Sequence, residues 1–147
     1  MDQQIRVAVV GVTWISLAAY SLAANVLLAF LICKSNDMRR YTSYWIIISV
    51  SLCDAGITII NLCYFIPSVL THDAPSTNEV TFDFYNWIWD LFWYTGVVHI
   101  ALMAMNRFVC IVYPSYYAVF FSRTRTLLIL CIIYIVGFTI NFPTLFP

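Results

Sequence analysis

Charge is what this chain has least of: Asp, Glu, Lys and Arg make up 10% of 147 residues, hydrophobic residues 63%, and mean hydropathy is +0.87. A soluble domain of this length must cover its core with a polar exterior, and this composition does not supply one. Lysine and arginine are missing from Thr71 to Asn86, where the charges are Asp73, Glu79 and Asp83. Cysteine is missing from the same stretch, which excludes a disulfide there. No Asn-x-Ser/Thr acceptor, internal repeat, low-complexity tract or flexible linker occurs. The two histidines, His72 and His99, are too isolated for a metal site, so no metal or cofactor is expected. His99 reads as a buried hydrogen-bonding residue.

These absences leave long apolar runs. Val7 to Cys33 holds no charge over 27 positions, and about 20 suffice to cross a hydrocarbon core as a helix. Lys34-Ser-Asn-Asp-Met-Arg-Arg40 follows directly, without a cleavage-site pattern, so the run reads as a retained helix and not as a signal peptide. Three further runs follow at about 44–70, 87–113 and 126–145, with a single charge (Asp54) in the first of them, Asp90 and Arg107 in the next and none in the last. The expected fold is therefore an all-α membrane protein with four transmembrane helices in one domain, joined by polar connections at about 34–43, 71–86 and 114–125.

Charge asymmetry sets the expected orientation, because lysine and arginine in short loops stay on the cytoplasmic side. Lys34, Arg39 and Arg40 lie in the first connection, Arg123 and Arg125 in the third, whereas the N-terminal tail offers Arg6 against Asp2. Loops 34–43 and 114–125 are thus expected to be cytoplasmic and loop 71–86 extracellular. Both chain ends are then outside, in a multi-pass protein of the plasma membrane. The five cysteines, Cys33, Cys53, Cys63, Cys110 and Cys131, fall within the spans or at their inner ends and read mainly as small packing residues; acylation is an alternative for Cys33 and Cys110.

Ionisable and amide groups at membrane depth are costly and usually face protein or water. Asn25 in the first span and Asp54 in the second sit at comparable depth and form an expected hydrogen-bonding pair in an intramembrane polar core; polar glue between helices is the plainer reading of Asn25. Arg107 near the end of the third span reads alone as a snorkelling anchor. Its setting, Asn106-Arg107-Phe108 with Pro114 seven positions after the arginine, argues for more, since a proline ends or bends the helix there.

In this combination the chain resembles the rhodopsin-like seven-transmembrane G-protein-coupled receptors. Asn25 in AANVLLAF, Asp54 in SVSLCD, and the triplet Asn106-Arg107-Phe108 with Pro114 match that family's first three helices in order, depth and spacing. The Asn-Arg-Phe triplet and the many aromatics are similar to the nematode serpentine chemoreceptors of the Srx type. The resemblance implies a chemosensory receptor, not an enzyme, that binds an external small molecule and signals through a heterotrimeric G protein when complete. Asn106, Arg107, Phe108, Pro114, Tyr116 and Tyr117 would form its switch or coupling region. It covers the first four helices of seven, so the chain is expected to be a truncated receptor, a fragment or an incomplete gene model, without independent signalling.

Departures from the family pattern bear on mechanism. Asn106 stands where an acid is usual, leaving Arg107 restrained by a neutral hydrogen bond at most. The family's outer cysteine on the third helix has no counterpart, and the fourth span lacks the often-found tryptophan. Gly96 lacks the side-chain oxygen that would support a sodium site at Asp54.

Stepping back from Arg107 at helical spacing gives Met103, Ile100, Val97, Trp93 and Trp89 on one face. Trp89 and Trp93, with Asp90 and Tyr94 beside them, are the candidate ligand-binding residues. Asp90 is a counter-ion for a cationic ligand or a solvated residue at a helix start. The aromatic cluster from Phe82 to Tyr94 is an interfacial belt or a pocket lining. Tyr116, Tyr117, Arg123 and Arg125 lie where the family meets its G protein, and contact with anionic membrane lipids explains the same charges.

A membrane enzyme would gather a nucleophile, base or ligands at one depth; Asp54, Asp90 and His99 sit at different levels. The rival reading is a four-span scaffold or a non-signalling fragment that associates with other membrane proteins, including as a receptor oligomer. A transporter fragment, with Pro67 and Pro143 as kinks, ranks lower. No nucleic-acid partner is expected. Neither ligand, G-protein class nor cell type is legible.

Overall fold

The computed structural model describes residues 3–70 and 79–145. Among these the chain is helical apart from short breaks, with α1 Gln3–Lys34, α2 Thr42–Ile60, α3 Ile66–Leu70, α4 Glu79–Val112, α5 Pro114–Phe120 and α6 Arg123–Asn141. Four helical stretches are long and apolar enough to cross a membrane: Ile5–Lys34, Thr42–Leu70, Val80–Val112 and Arg123–Thr144. Helices are the expected solution, because each backbone N–H and C=O in lipid must find its partner within the segment.

The boundaries differ from the sequence expectation in two places. The third span begins at Glu79 and not near residue 87, so Asp83 and Asn86 belong to its helix; His72 and Asp73 lie outside the described residues. The third connection is not an open loop. Helix α4 stops at Val112, Tyr113 adopts φ −130° and ψ 58°, and Pro114 opens α5. Proline suits a first helical position because its missing N–H would have no intrahelical partner there.

The second span widens before its proline. Residues Asn61–Phe65 form a π-helical turn in which the Ile66 N–H reaches the Asn61 carbonyl, five residues back. The Pro67 ring would clash with the carbonyl four residues earlier in a regular α-helix, and the wider turn relieves that conflict.

The second span is the centre of the assembly, contacting the first, third and fourth. Small residues let the helices approach closely: a Cβ on Gly56 would lie 2.7 Å from the Phe92 ring, and one on Gly137 2.5 Å from Thr95 Oγ1. Buried Ile46, Leu102, Phe121 and Leu130 form the apolar core toward the end of the bundle that carries Arg39, Arg40 and Arg123, the one expected from charge to be the inner end. At the outer end Trp87 Nε1 donates to the Asn141 carbonyl at 2.8 Å, and Tyr64 stacks on Tyr85 with centroids 4.2 Å apart.

All five cysteines are free. Cys53 is buried, as a packing residue should be, but Cys33, Cys63, Cys110 and Cys131 are exposed on the outer surface of the bundle.

Candidate functional site

Two polar clusters tie the third span to its neighbours. Toward the inner end, the buried amide of Asn106 accepts from Ser43 Oγ at 2.6 Å and donates from Nδ2 to the Tyr117 hydroxyl at 3.2 Å. The Tyr117 hydroxyl also lies 3.0 Å from Thr42 Oγ1 and 3.2 Å from Ser43 Oγ. Because the Ser43 proton is committed to Asn106, the Tyr117 proton is the one left to donate to Ser43 or Thr42. Four side chains thereby join the start of α2, the end of α4 and the short helix α5.

The second cluster lies deeper. His99 is fully buried, with Nδ1 2.6 Å from the Thr95 carbonyl, Nε2 2.9 Å from Ser49 Oγ, and its ring 5.2 Å from that of Tyr134. A carbonyl carries no proton, so Nδ1 must donate; in the neutral ring Nε2 then accepts from Ser49. Ser49 Oγ in turn accepts from the Tyr134 hydroxyl at 3.1 Å, and that hydroxyl lies 3.4 Å from Cys53 Sγ. The chain of donors closes, linking the second, third and fourth spans. His99 is the buried hydrogen-bonding residue expected of it; Ser49 and Tyr134 were not singled out.

Arg107 is next to the first cluster but not part of it. Its side chain is exposed and forms no ion pair or hydrogen bond among the described residues. The expected neutral restraint from Asn106 is absent, because that amide is engaged by Ser43 and Tyr117. A notch of about 650 Å³ lined by Tyr41, Ser43, Asn106, Arg107, Cys110 and Tyr117, among others, opens beside it. Phe108 and Tyr116 are turned elsewhere: they line an apolar groove of about 580 Å³ shared with Leu102, Met105, Phe120 and Ile129. The six residues grouped as a switch thus divide into Asn106, Arg107 and Tyr117 around one notch, Phe108 and Tyr116 around another, and Pro114 at the helix junction.

Asn25 and Asp54 do not form the expected hydrogen bond. Asn25 Nδ2 donates to the Ser21 carbonyl of its own helix at 3.1 Å, an arrangement that satisfies the amide locally. Asp54 is exposed, and among the described residues only its backbone carbonyl is engaged, accepting from Thr58 Oγ1 at 2.7 Å.

At the outer end Trp89 and Trp93 stack with centroids 5.4 Å apart and planes 8° from parallel. Asp90 is half-buried beside them. Tyr94 does not share their face: it lines a groove of about 360 Å³ with Val98, Ile133 and Gly137, between the third and fourth spans. The buried stripe of α4 is Thr95, His99, Leu102 and Asn106. Of the face derived from the sequence, Trp93, Val97 and Ile100 are exposed along with Arg107, whereas Trp89 is partly covered and Met103 packs against the apolar core, so that face is left largely, not wholly, uncovered.

Four membrane-crossing helices, an Asn-Arg-Phe triplet at the inner end of the third, and a proline-initiated helix just beyond it agree with what comparison finds. Residues 15–147 match the model of the serpentine type seven-transmembrane G-protein-coupled chemoreceptors, Srx. The chain belongs to that family. It is also similar to cannabinoid receptor 2 of Mus musculus, 27% identical with 95% of this chain and 39% of that receptor covered. The same receptor of Rattus norvegicus is 29% identical, with 95% and 38% covered. The chain therefore spans about two fifths of the length of these curated relatives. Membership makes it a multi-pass membrane protein of receptor type.

Proposed function

We propose that the chain is the N-terminal portion of a chemosensory receptor, N-terminus outside in the plasma membrane, which binds an external small molecule and signals through a heterotrimeric G protein when joined to further helices. The observation that carries this reading is the division of the third span. One face is locked to spans two and four, and the other leaves Arg107 unrestrained beside a notch at the inner end. Ligand at the outer end, against the Trp89–Trp93 stack and Asp90, shifts a two-state equilibrium toward a form in which Arg107 and the notch receive the G protein. Asn106, bound to Ser43 and Tyr117, couples the inner helix α5 to that equilibrium.

Asp54 supports a second reading of the same surface. An exposed carboxylate about 18 Å into a span, at 1.5 Å per residue, is costly in lipid, so something polar or aqueous covers it. Further helices of the receptor meet that requirement; so does another membrane protein with which a non-signalling four-span unit associates.

The test is to express the chain with whatever reading frame its transcript continues into, then screen external small molecules with a G-protein-dissociation reporter. A ligand-dependent response whose midpoint rises about 10- to 100-fold in Trp93→Ala is the expected result. No response to any ligand with any G-protein class, at confirmed surface expression, would overturn it.

A further inference from the structure

The outer third of the second span is built unlike the rest of the bundle. Its helix widens into the π-turn Asn61–Phe65, and Pro67 and the short helix α3 follow directly. A wide turn next to a proline forgoes hydrogen bonds that keep a regular helix stiff. Ser68 Oγ partly makes up for this by donating to the Phe65 carbonyl at 2.8 Å. Beyond the turn, α3 rests on the first span, where the Leu70 side chain leaves no room for a Cβ on Gly11. Tyr64, inside the π-turn, lies flat on Tyr85 of α4, with ring centroids 4.2 Å apart and planes 19° from parallel, and meets Phe65 edge-on. The Tyr64 hydroxyl is buried and has no hydrogen-bond partner among the described residues. Tyr85 itself stands one helical turn before Trp89.

A hinge, a contact that holds it and a penalty that opposes the contact thus meet in one segment. Leaving a buried hydroxyl unpaired costs at least as much as a stacked aromatic pair returns, so the stack is held against a real incentive to open. We propose that the segment Tyr64–Leu70 is a latch on the ligand site. It swivels about the π-turn between the stacked position, with Tyr64 against Tyr85, and a released one. In the released position the Tyr64 hydroxyl reaches water at the outer surface, and the space beside Tyr85 and Trp89 opens to an external molecule. Pro67 keeps the hinge in being, because its ring would clash with the carbonyl four residues earlier if the turn closed to a regular helix. The fraction of time spent released then scales the affinity of whatever binds at Trp89 and Trp93.

The latch rests on the proposed ligand site for its purpose but not for its motion, and the experiment needs no ligand. The chain is placed in phosphatidylcholine nanodiscs, and amide hydrogen exchange is followed by mass spectrometry over residues 61–70 and, as an internal reference, 46–58. Hydroxyl-radical oxidation of Trp89 is mapped on the same samples, with Trp45 at the opposite end as its reference. Tyr64→Phe keeps the stack and removes the unpaired hydroxyl. It is expected to slow exchange of 61–70 and lower Trp89 oxidation, each at least about fivefold. Tyr85→Ala removes the stack and should raise both about fivefold, with 46–58 and Trp45 unchanged. Pro67→Ala lets the turn close and should slow exchange of 61–70. Tyr64→Phe is conservative enough to fold, so its result decides: exchange as fast as in the parent, or faster, overturns the latch. So does Trp89 oxidation that stays constant while exchange responds, because the hinge would then move without opening the site. Failure of the ligand screen, with exchange and oxidation as expected, would count against the proposed function and leave the motion standing.

Discussion

The third span has two faces with opposite characters. Along Thr95, His99, Leu102 and Asn106 nearly every atom is buried, and the polar groups of His99 and Asn106 are matched to partners on spans two and four or on α5. Along Trp93, Val97, Ile100 and Arg107 the side chains are exposed and Arg107 has no ion pair among the described residues. The difference teaches where rigidity and response are kept apart. A face on which a buried imidazole and amide have their donors and acceptors used, Thr95 Oγ1 alone lacking a partner among the described residues, resists rearrangement, whereas a charged residue without a partner is free to take one that a ligand-stabilised state supplies.

Substitutions at the two faces should therefore separate stability from coupling. Arg107→Ala carries the largest expected effect: under the proposed function, in the receptor completed by its further helices, G-protein activation falls by about 100-fold, within the range of a strong coupling energy, while thermal unfolding in detergent moves by less than about 0.5 kcal/mol. His99→Ala should do the reverse. Loss of two hydrogen bonds and a buried ring costs about 3 kcal/mol of stability, read from denaturant or thermal unfolding, and surface expression falls with it.

Asn106 lies where the faces meet. Asn106→Ala should cost about 1–2 kcal/mol and free Tyr117, raising ligand-independent activity. Asn106→Asp still accepts from Ser43 but loses the Nδ2 donor to Tyr117, whose hydroxyl must turn to donate to the new carboxylate, and it adds a charge beside Arg107; basal activity should drop about fivefold. Equal basal activity in both variants would break the link between the inner cluster and the arginine. The smallest effect is expected at Gly96, where an added Cβ would meet only Cys53 Cβ at 3.6 Å. Gly96→Ala should change stability by less than about 0.5 kcal/mol, whereas Gly137→Ala, pressed on Thr95, should be visibly destabilised.

Hydropathy made the four spans legible, because a lipid-crossing helix must be apolar over a fixed length. The first turns of α4 escaped for the complementary reason. Glu79, Asp83 and Asn86 are polar, and a helix that projects beyond the hydrocarbon has no need to be otherwise. Helix α5 leaves one signal, Pro114 at a first helical position, and a proline marks the stop of one helix as readily as the start of the next. Asn106, Arg107 and Tyr117 were named from the motif, but their pairing was not. Ser43 and Thr42, which complete the inner cluster, fall just before the position taken as the start of the second span.

The deeper cluster had no local signature. Ser49, His99 and Tyr134 are single polar residues in three separate apolar runs, and only the packing of the helices brings them within hydrogen-bonding distance. Asn25 and Asp54 were paired on depth alone; depth does not fix rotation about the helix axis, and Asn25 finds its partner at Ser21 instead.

The most direct test of the proposed function is to measure unfolding and G-protein activation on the same preparations of Arg107→Ala and His99→Ala, each in the receptor completed by its further helices, at matched surface density. The expected result is a double dissociation: the arginine variant as stable as the parent but uncoupled, the histidine variant destabilised yet coupled in proportion to the folded protein that remains. An arginine variant that signals normally, or that unfolds as readily as the histidine variant, would contradict the division of the third span into a locked face and a responsive one.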